Sequence, residues 1–261
     1  MLPKKGALKM TAPITPLHIT FVTLFPEAIE TMMAVSILGR AQQNGHLVLH
    51  TVQIREHALD KHQMVDDTPC GGGAGQVMKV DVLHRAILAA QNNTPENASS
   101  KVILLDPAGQ PFQQNAAISL AKTDHLIFIC GRYEGVDARV WNYVDETWSL
   151  GDFVITGGEL AGLVMADAIA RMRPGVLGNA DSIQTESHME NLLEHHQYTR
   201  PIEYDHWQVP DVLLSGHHQK IEQARQEDAQ ARTQRLRPDL CDNDQQTQAR
   251  ECLAPLRKGE S

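Results

Sequence analysis

The 261-residue sequence has no apolar stretch close to the roughly 18 uncharged residues that a membrane-spanning helix requires. Met1–Pro16 carries lysines but lacks the apolar run of a secretory signal. A cytoplasmic location with no membrane partner is the expectation. Cysteine is scarce and dispersed: Cys70, Cys130, Cys241 and Cys252 never form a CxxC pair, which argues against a zinc knuckle and against a disulfide-stapled scaffold. There is no surplus of positive charge either. The formal net charge of −9 opposes non-specific polyanion binding by the whole surface, while leaving room for a local basic groove.

Nucleotide-phosphate signatures are missing as well. Gly71–Gly75 (GGGAG) is not followed by the Lys-Ser/Thr of a phosphate loop, and no GxGxxG turn follows the first expected strand, where LFPE stands instead. A Rossmann-type dehydrogenase is thereby disfavoured. The GGGAG segment reads equally well as a surface loop or as a flexible loop that a large ligand can approach.

What is present suits an α/β enzyme. Apolar residues make up 42% of the chain, enough for a sizeable core. Leu17–Leu24, Leu47–Ile54, Val102–Leu105 and His125–Cys130 read as strands separated by helix-length segments, which predicts a mostly parallel sheet flanked by helices. Val80, Leu83, Ile87 and Leu88 share one helical face, as do Leu160, Leu163, Val164 and Ala168, and both faces are expected to cover the sheet. Pro107 and Pro111 punctuate a loop after the third strand. Polar composition over 179–187 marks a linker, and Ser215 is a candidate cap for a helix reaching Arg232 in a small helical C-terminal domain. Residues 1–16 read as a disordered extension.

Two glycine-studded segments stand out, GRYEGVD at 131–137 and LGDFVITGGEL at 150–160. The first follows His125–Cys130 and the second contains Phe153–Ile155, so both are expected at the carboxyl ends of neighbouring strands, where α/β sheets bind small ligands. Ordinary strand-to-helix turns would use the same glycines. Arg171 could pair with Asp167 one turn earlier, and Asp181 and Glu186 in the linker could be solvated carboxylates. His188, His195 and His196 could share a helix but lack a compact metal-ligand spacing.

Seven ordered blocks carry a resemblance: LFPE (24–27), VDDTPCGGGAG (65–75), LLDPAGQPF (104–112), CGRYEGVDARV (130–140), GDFVITGGEL (151–160), RPGVLGN (173–179) and HQYTRP (196–201). From about His18 to Arg237 the chain resembles bacterial tRNA (guanine-N1)-methyltransferases of the TrmD type, in the SPOUT superfamily. The resemblance implies a deep trefoil knot over the C-terminal part of a main domain at 17–178, a linker at 179–187 and a small tRNA-binding helical domain at 188–261. It implies a homodimer, with each site using both subunits. It also implies S-adenosylmethionine as cofactor, bound by Leu104, Leu105, Asp106 and Pro107, by Gly131, Tyr133 and Glu134, and by Leu150, Gly151, Asp152, Phe153, Val154, Ile155, Gly157 and Gly158. The implied reaction methylates N1 of the guanosine immediately 3′ of the tRNA anticodon, position 37. Arg171 would stabilise guanine O6, and a linker carboxylate would take the N1 proton. Where the family has Asp, this sequence has Glu186, one methylene longer. Magnesium would be bound transiently, with no metal cage in the protein. The alternative is a catalytically silent RNA-binding protein of the same fold.

Overall fold

The computed structural model describes residues 15–177, 186–189 and 191–241. The chain divides into two compact units, Met1–Ala180 and Asp181–Ser261. Residues 1–14 of the expected extension at 1–16 and most of the linker, including Asp181, lie outside the described residues.

In the first unit the elements run β1 (Leu17–Thr23), α1 (Pro26–Met33), α2 (Ser36–Gln43), β2 (Leu47–Gln53), β3 (Asp66–Asp67), β4 (Val77–Met78), α3 (Val80–Gln91), β5 (Ser100–Pro111), α4 (Gln114–Leu120), β6 (His125–Cys130), β7 (Glu146–Ser149) and α5 (Gly158–Ala170). LFPE is a helix start, because Pro26 opens α1 where its missing N–H costs nothing. Strands β2-β1-β6-β5-β7 form one sheet in that order, and every pairing is parallel.

A parallel sheet is stable only when both faces are covered. Phe21, Ile103, Leu105, Leu126, Phe128 and Cys130 form one face, packed under α1, α2, α4 and α5. Val22, Val102, Leu104, Ile127 and Ile129 form the other, packed under α3. Central β6 is buried at every position, which is why HLIFIC shows no polar alternation. The Phe21 and Phe128 rings meet at 5.4 Å between adjacent strands.

Three expectations need correction. Helix α5 does not cover the sheet with Leu160 and Val164, which are 60% and 53% exposed. It turns Ala161, Gly162, Met165, Ala166 and Ile169 inward instead. Small residues win that face because the helix lies close to the sheet: a Cβ on Gly162 would come within 2.7 Å of the Phe21 ring. Leu88 of α3 is likewise exposed. The third strand does not end at Leu105. β5 leaves its partner there and resumes pairing at Gln110, so that Leu105 and Gln110 both face Trp148 and residues 106–109 loop outward.

In the second unit, an antiparallel hairpin of Glu203–Tyr204 and Trp207–Gln208 precedes a short helix at Asp211–Leu214 and a long one at His218–Leu236. Ser215 ends the short helix rather than capping the long one, whose N-cap residue is His217. Residues 186–189 and 191–200 are irregular, so His188, His195 and His196 share no helix. The long helix holds this segment: Asp228 accepts from the His196 N–H at 2.6 Å, Arg232 donates to the Glu194 carbonyl at 2.9 Å, and buried Thr233 accepts from the Leu193 N–H at 2.9 Å.

At the amino-terminal edge of the sheet, His125 is fully buried. Its Nε2 meets the Thr20 hydroxyl at 2.8 Å and its Nδ1 the Thr94 hydroxyl at 2.7 Å. A neutral ring fits, donating through one nitrogen and accepting through the other. Burial, with the nearby His18 and His50 rings, lowers the His125 pKa to about 4. Unfolded, the ring takes up its proton near pH ~6.5. Its stabilising contribution is therefore complete above that pH and is lost as pH falls toward about 4. Urea unfolding should show stability falling by about 1.4 kcal/mol per pH unit from this ring alone between pH ~6.5 and ~4.5. His125→Gln should be less stable at neutral pH and show a slope smaller by one proton; equal slopes would place the acid sensitivity elsewhere.

Candidate active site

The expectation that the two glycine segments follow neighbouring strands is corrected by the strand order. Gly131 follows β6, and Leu150 follows β7, with β5 between them. Phe153–Ile155 is not a strand but part of the irregular loop from Leu150 to Gly157. The 106–109 excursion of β5 thus supplies a third segment, at the centre. Gly109 permits it, since a Cβ there would come within 2.5 Å of the Trp148 backbone.

These three segments enclose a cavity of about 400 Å³ at the carboxyl edge of the sheet. Leu105, Asp106 and Pro107 line it from the first segment, Gly131, Tyr133 and Glu134 from the second, and Leu150, Phe153, Val154, Ile155, Gly157 and Gly158 from the third. Leu104 does not line it, being fully buried in the core under α3. Gly151 and Asp152 lie in the third loop but outside the lining. Sequence reasoning passed over Arg132, Trp148 and Thr156, which also line the cavity. Arg132 stands inside a segment already singled out, and its charge among small and apolar neighbours was the available signal.

Backbone contact closes the cavity floor. Gly158 N–H donates to the Gly131 carbonyl at 2.9 Å, and a Cβ on Gly158 would come within 2.8 Å of Cys130 Cα. One residue on, the Glu159 carboxylate is buried, 5% exposed. It accepts from the Thr23 hydroxyl at 2.8 Å and pairs with the Arg132 guanidinium at 3.2 Å. Burial, with Glu159 beside it, pushes the Cys130 thiol well above its ordinary pKa, so this cysteine is a poor nucleophile.

The GGGAG loop belongs to the same neighbourhood. Gly71, Gly72, Gly73 and Gly75 all have positive φ, between 82° and 128°, which accounts for glycine at those positions. Gln76 carbonyl accepts from the Glu134 N–H and the Gly135 carbonyl from the Met78 N–H, each at 3.0 Å. A Cβ on Gly75 would strike the Glu134 side chain at 2.4 Å.

Arg171 caps the far end of α5, its N–H donating to the Asp167 carbonyl at 3.2 Å. Gly158 and Ala161 of this helix line the cavity, and from Ala161 to Arg171 it rises about 15 Å at 1.5 Å per residue. One chain therefore does not bring Arg171 to its own cavity. Glu186 lies in the second unit, half-buried, its carbonyl accepting from the Met189 N–H. His196 is paired with Asp228 at 2.8 Å. Among the described residues no group of His, Cys, Asp or Glu is placed to hold a metal ion. No described helix is long and apolar enough to cross a membrane.

The family model described as tRNA (Guanine-1)-methyltransferase TrmD matches residues 17–243. The chain is 46% identical to the tRNA (guanine-N(1)-)-methyltransferase of Levilactobacillus brevis, covering 92% of this chain and 96% of that protein. It is 45% identical to the enzyme of the same name from Halalkalibacterium halodurans, over 93% and 98% of the two chains, and 47% identical to that of Clostridium perfringens, over 86% and 93%. With a family match over residues 17–243 and relatives of this identity over nearly the whole chain, the chain belongs to the tRNA (guanine-1)-methyltransferase TrmD family.

Proposed function

We propose that this protein methylates N1 of the guanosine immediately 3′ of the tRNA anticodon, position 37, using S-adenosylmethionine. Membership of the family supports guanine N1 in tRNA as the target. The observation that carries the cofactor is the cavity itself. Its walls are backbone and apolar side chains, Leu105, Val136, Leu150 and Ile155 among them, which suit a heterocycle. Its charged lining consists of two carboxylates, Asp106 and Glu134, against one guanidinium, Arg132. A net negative lining suits a sulfonium and repels a polyphosphate. The trefoil knot implied by the family is part of this reading, with the three cavity segments as its ligand loops.

When bound, the cofactor supplies an electrophilic methyl group. The chain has to hold the guanine, remove the N1 proton and neutralise charge on O6. Glu186 is the base in this reading, and its carboxylate takes the N1 proton. Arg171 faces O6 and stabilises the charge that grows there as the proton leaves. Because Arg171 lies about 15 Å along the helix from the last residue lining its own cavity, the reaction calls for the cavity of one chain and the Arg171 of another. A two-fold homodimer satisfies this reciprocally. The outward apolar residues Leu160 and Val164, on the helix that joins cavity to Arg171, support such an interface.

The second unit would hold the tRNA, with 179–187 as linker. Arg232 is occupied inside the unit, and Arg237 pairs with Asp239 at 2.6 Å, which leaves Arg200, Lys220, Arg225 and Arg235 as exposed cations for phosphate among its described residues. Magnesium enters this reading as an ion held jointly with the substrates.

Methyl transfer to an unmodified tRNA transcript with guanosines at the target and preceding positions tests the proposal. Glu186→Gln should lose at least about 100-fold in turnover with cofactor affinity intact; wild-type activity in that variant would remove Glu186 as base. Transcript binding without methyl transfer by the wild-type protein would favour the silent RNA-binding reading. Gly158→Ala, which crowds the cavity floor, and Arg171→Ala should each be inactive as homodimers. Mixed one to one and allowed to exchange, they should recover about a quarter of wild-type activity, since half the dimers regain one intact site of two. No recovery would contradict the shared site.

A further inference from the structure

Arg132 is the one lysine or arginine among the described residues lining the cavity. It is also held unusually firmly for a residue at a ligand edge. Its Nε donates to Glu159 Oε2 at 3.2 Å and its Nη2 lies 3.2 Å from the same oxygen. Its guanidinium carbon sits 4.3 Å from the centre of the Phe25 ring. Glu159 is itself tied by the Thr23 hydroxyl, and Thr23 Oγ1 also accepts the Phe25 N–H at 3.0 Å. Carboxylate, hydroxyl and ring thus fix the orientation of one planar cation.

A purely structural guanidinium would be used up by its partners, and this one is not. The contacts with Glu159 engage Nε and Nη2, while a guanidinium carries five N–H donors in a rigid fork. Nη1 remains, on a side chain that is 27% exposed and lines the cavity. The other charged groups of the lining, Asp106 and Glu134, would repel an anion. Among the charged side chains of the lining, Arg132 is therefore the one that an anionic ligand group can pair with.

S-adenosylmethionine ends in an amino acid, with one ammonium and one carboxylate. We infer that Arg132 recognises the carboxylate of that tail through Nη1, so that the cavity selects a ligand with an intact amino-acid end. The inference rests on the cofactor reading above. Asp106 and Glu134 suit the cationic parts of the same ligand. Glu159 and Phe25 are positioning residues in this scheme: they act through the guanidinium and need no contact with the ligand.

The test compares S-adenosylmethionine with its decarboxylated form, which keeps adenosine, sulfonium and amine and loses only the carboxylate. Calorimetric affinities should favour S-adenosylmethionine by about tenfold or more in the wild-type protein, as for a charge-assisted hydrogen bond. Replacing Arg132 alone would leave Glu159 buried without its counter-charge, so the informative variant is Arg132→Gln combined with Glu159→Gln. There the ratio should fall to near one, with the decarboxylated ligand bound as before. Glu159→Gln alone should keep most of the discrimination. A wild-type ratio near one overturns the inference without touching the cofactor reading and requires no variant to fold. Equal weakening of both ligands in the double variant overturns it too, leaving Arg132 structural. If the wild-type protein binds neither ligand, the cofactor reading fails and this inference fails with it.

Discussion

A contact between two backbones sets much of this molecule. Gly158 rests on Cys130 and Gly131 so closely that its N–H reaches the Gly131 carbonyl at 2.9 Å and no side chain fits between. This seats the first turn of α5 on the carboxyl end of β6. Glu159 must then point inward, toward Thr23 and Arg132, and Gly162 one turn later must lie on the Phe21 ring. The same placement carries Arg171 to the opposite end of the helix. Cavity floor, buried charge and the distance to Arg171 are consequences of one seating.

Burying Glu159 costs free energy that its neighbours must offset. The Arg132 guanidinium and the Thr23 hydroxyl are its partners, and it lies in the first turn of α5. The arrangement also keeps chemistry off the adjacent thiol. Cys130 is enclosed and sits beside a carboxylate, so its thiolate is disfavoured. Charge at this edge therefore serves to orient rather than to attack.

Four of the five sheet strands were legible in the sequence because parallel strands buried on both faces read as apolar runs, and HLIFIC came through with its boundaries intact, whereas β7 at the sheet edge, with the mixed sequence ETWS, was not read. Most of the cavity was legible too, since glycines flagged two of its three segments. What escaped was what depends on partners distant in sequence. Pro107 and Pro111 signal a loop after Leu105, but nothing local in LLDPAGQPF announces that β5 returns at Gln110 to the same Trp148, roughly forty residues away. The face of α5 was misread for a related reason. Counting large apolar residues selects Leu160 and Val164, whereas the sheet selects whichever side allows close approach, and glycine and alanine supply it. The role of Arg132 was hidden because its partner Glu159 lies in a different glycine segment and the two meet only when α5 docks.

The two edges of the sheet are built from opposite materials, and that difference locates the ligand. At the amino-terminal edge, side chains satisfy one another: both nitrogens of His125 are taken by threonine hydroxyls, and the Asp124 carboxylate accepts from the Ser99 N–H and hydroxyl. At the carboxyl edge β5 bulges away from the plane instead of filling the gap between β6 and β7, and the gap is walled by backbone and apolar side chains. A ligand contributes stabilisation only where the protein leaves groups and space unused. In this sheet that place is the edge where β5 departs from its neighbours.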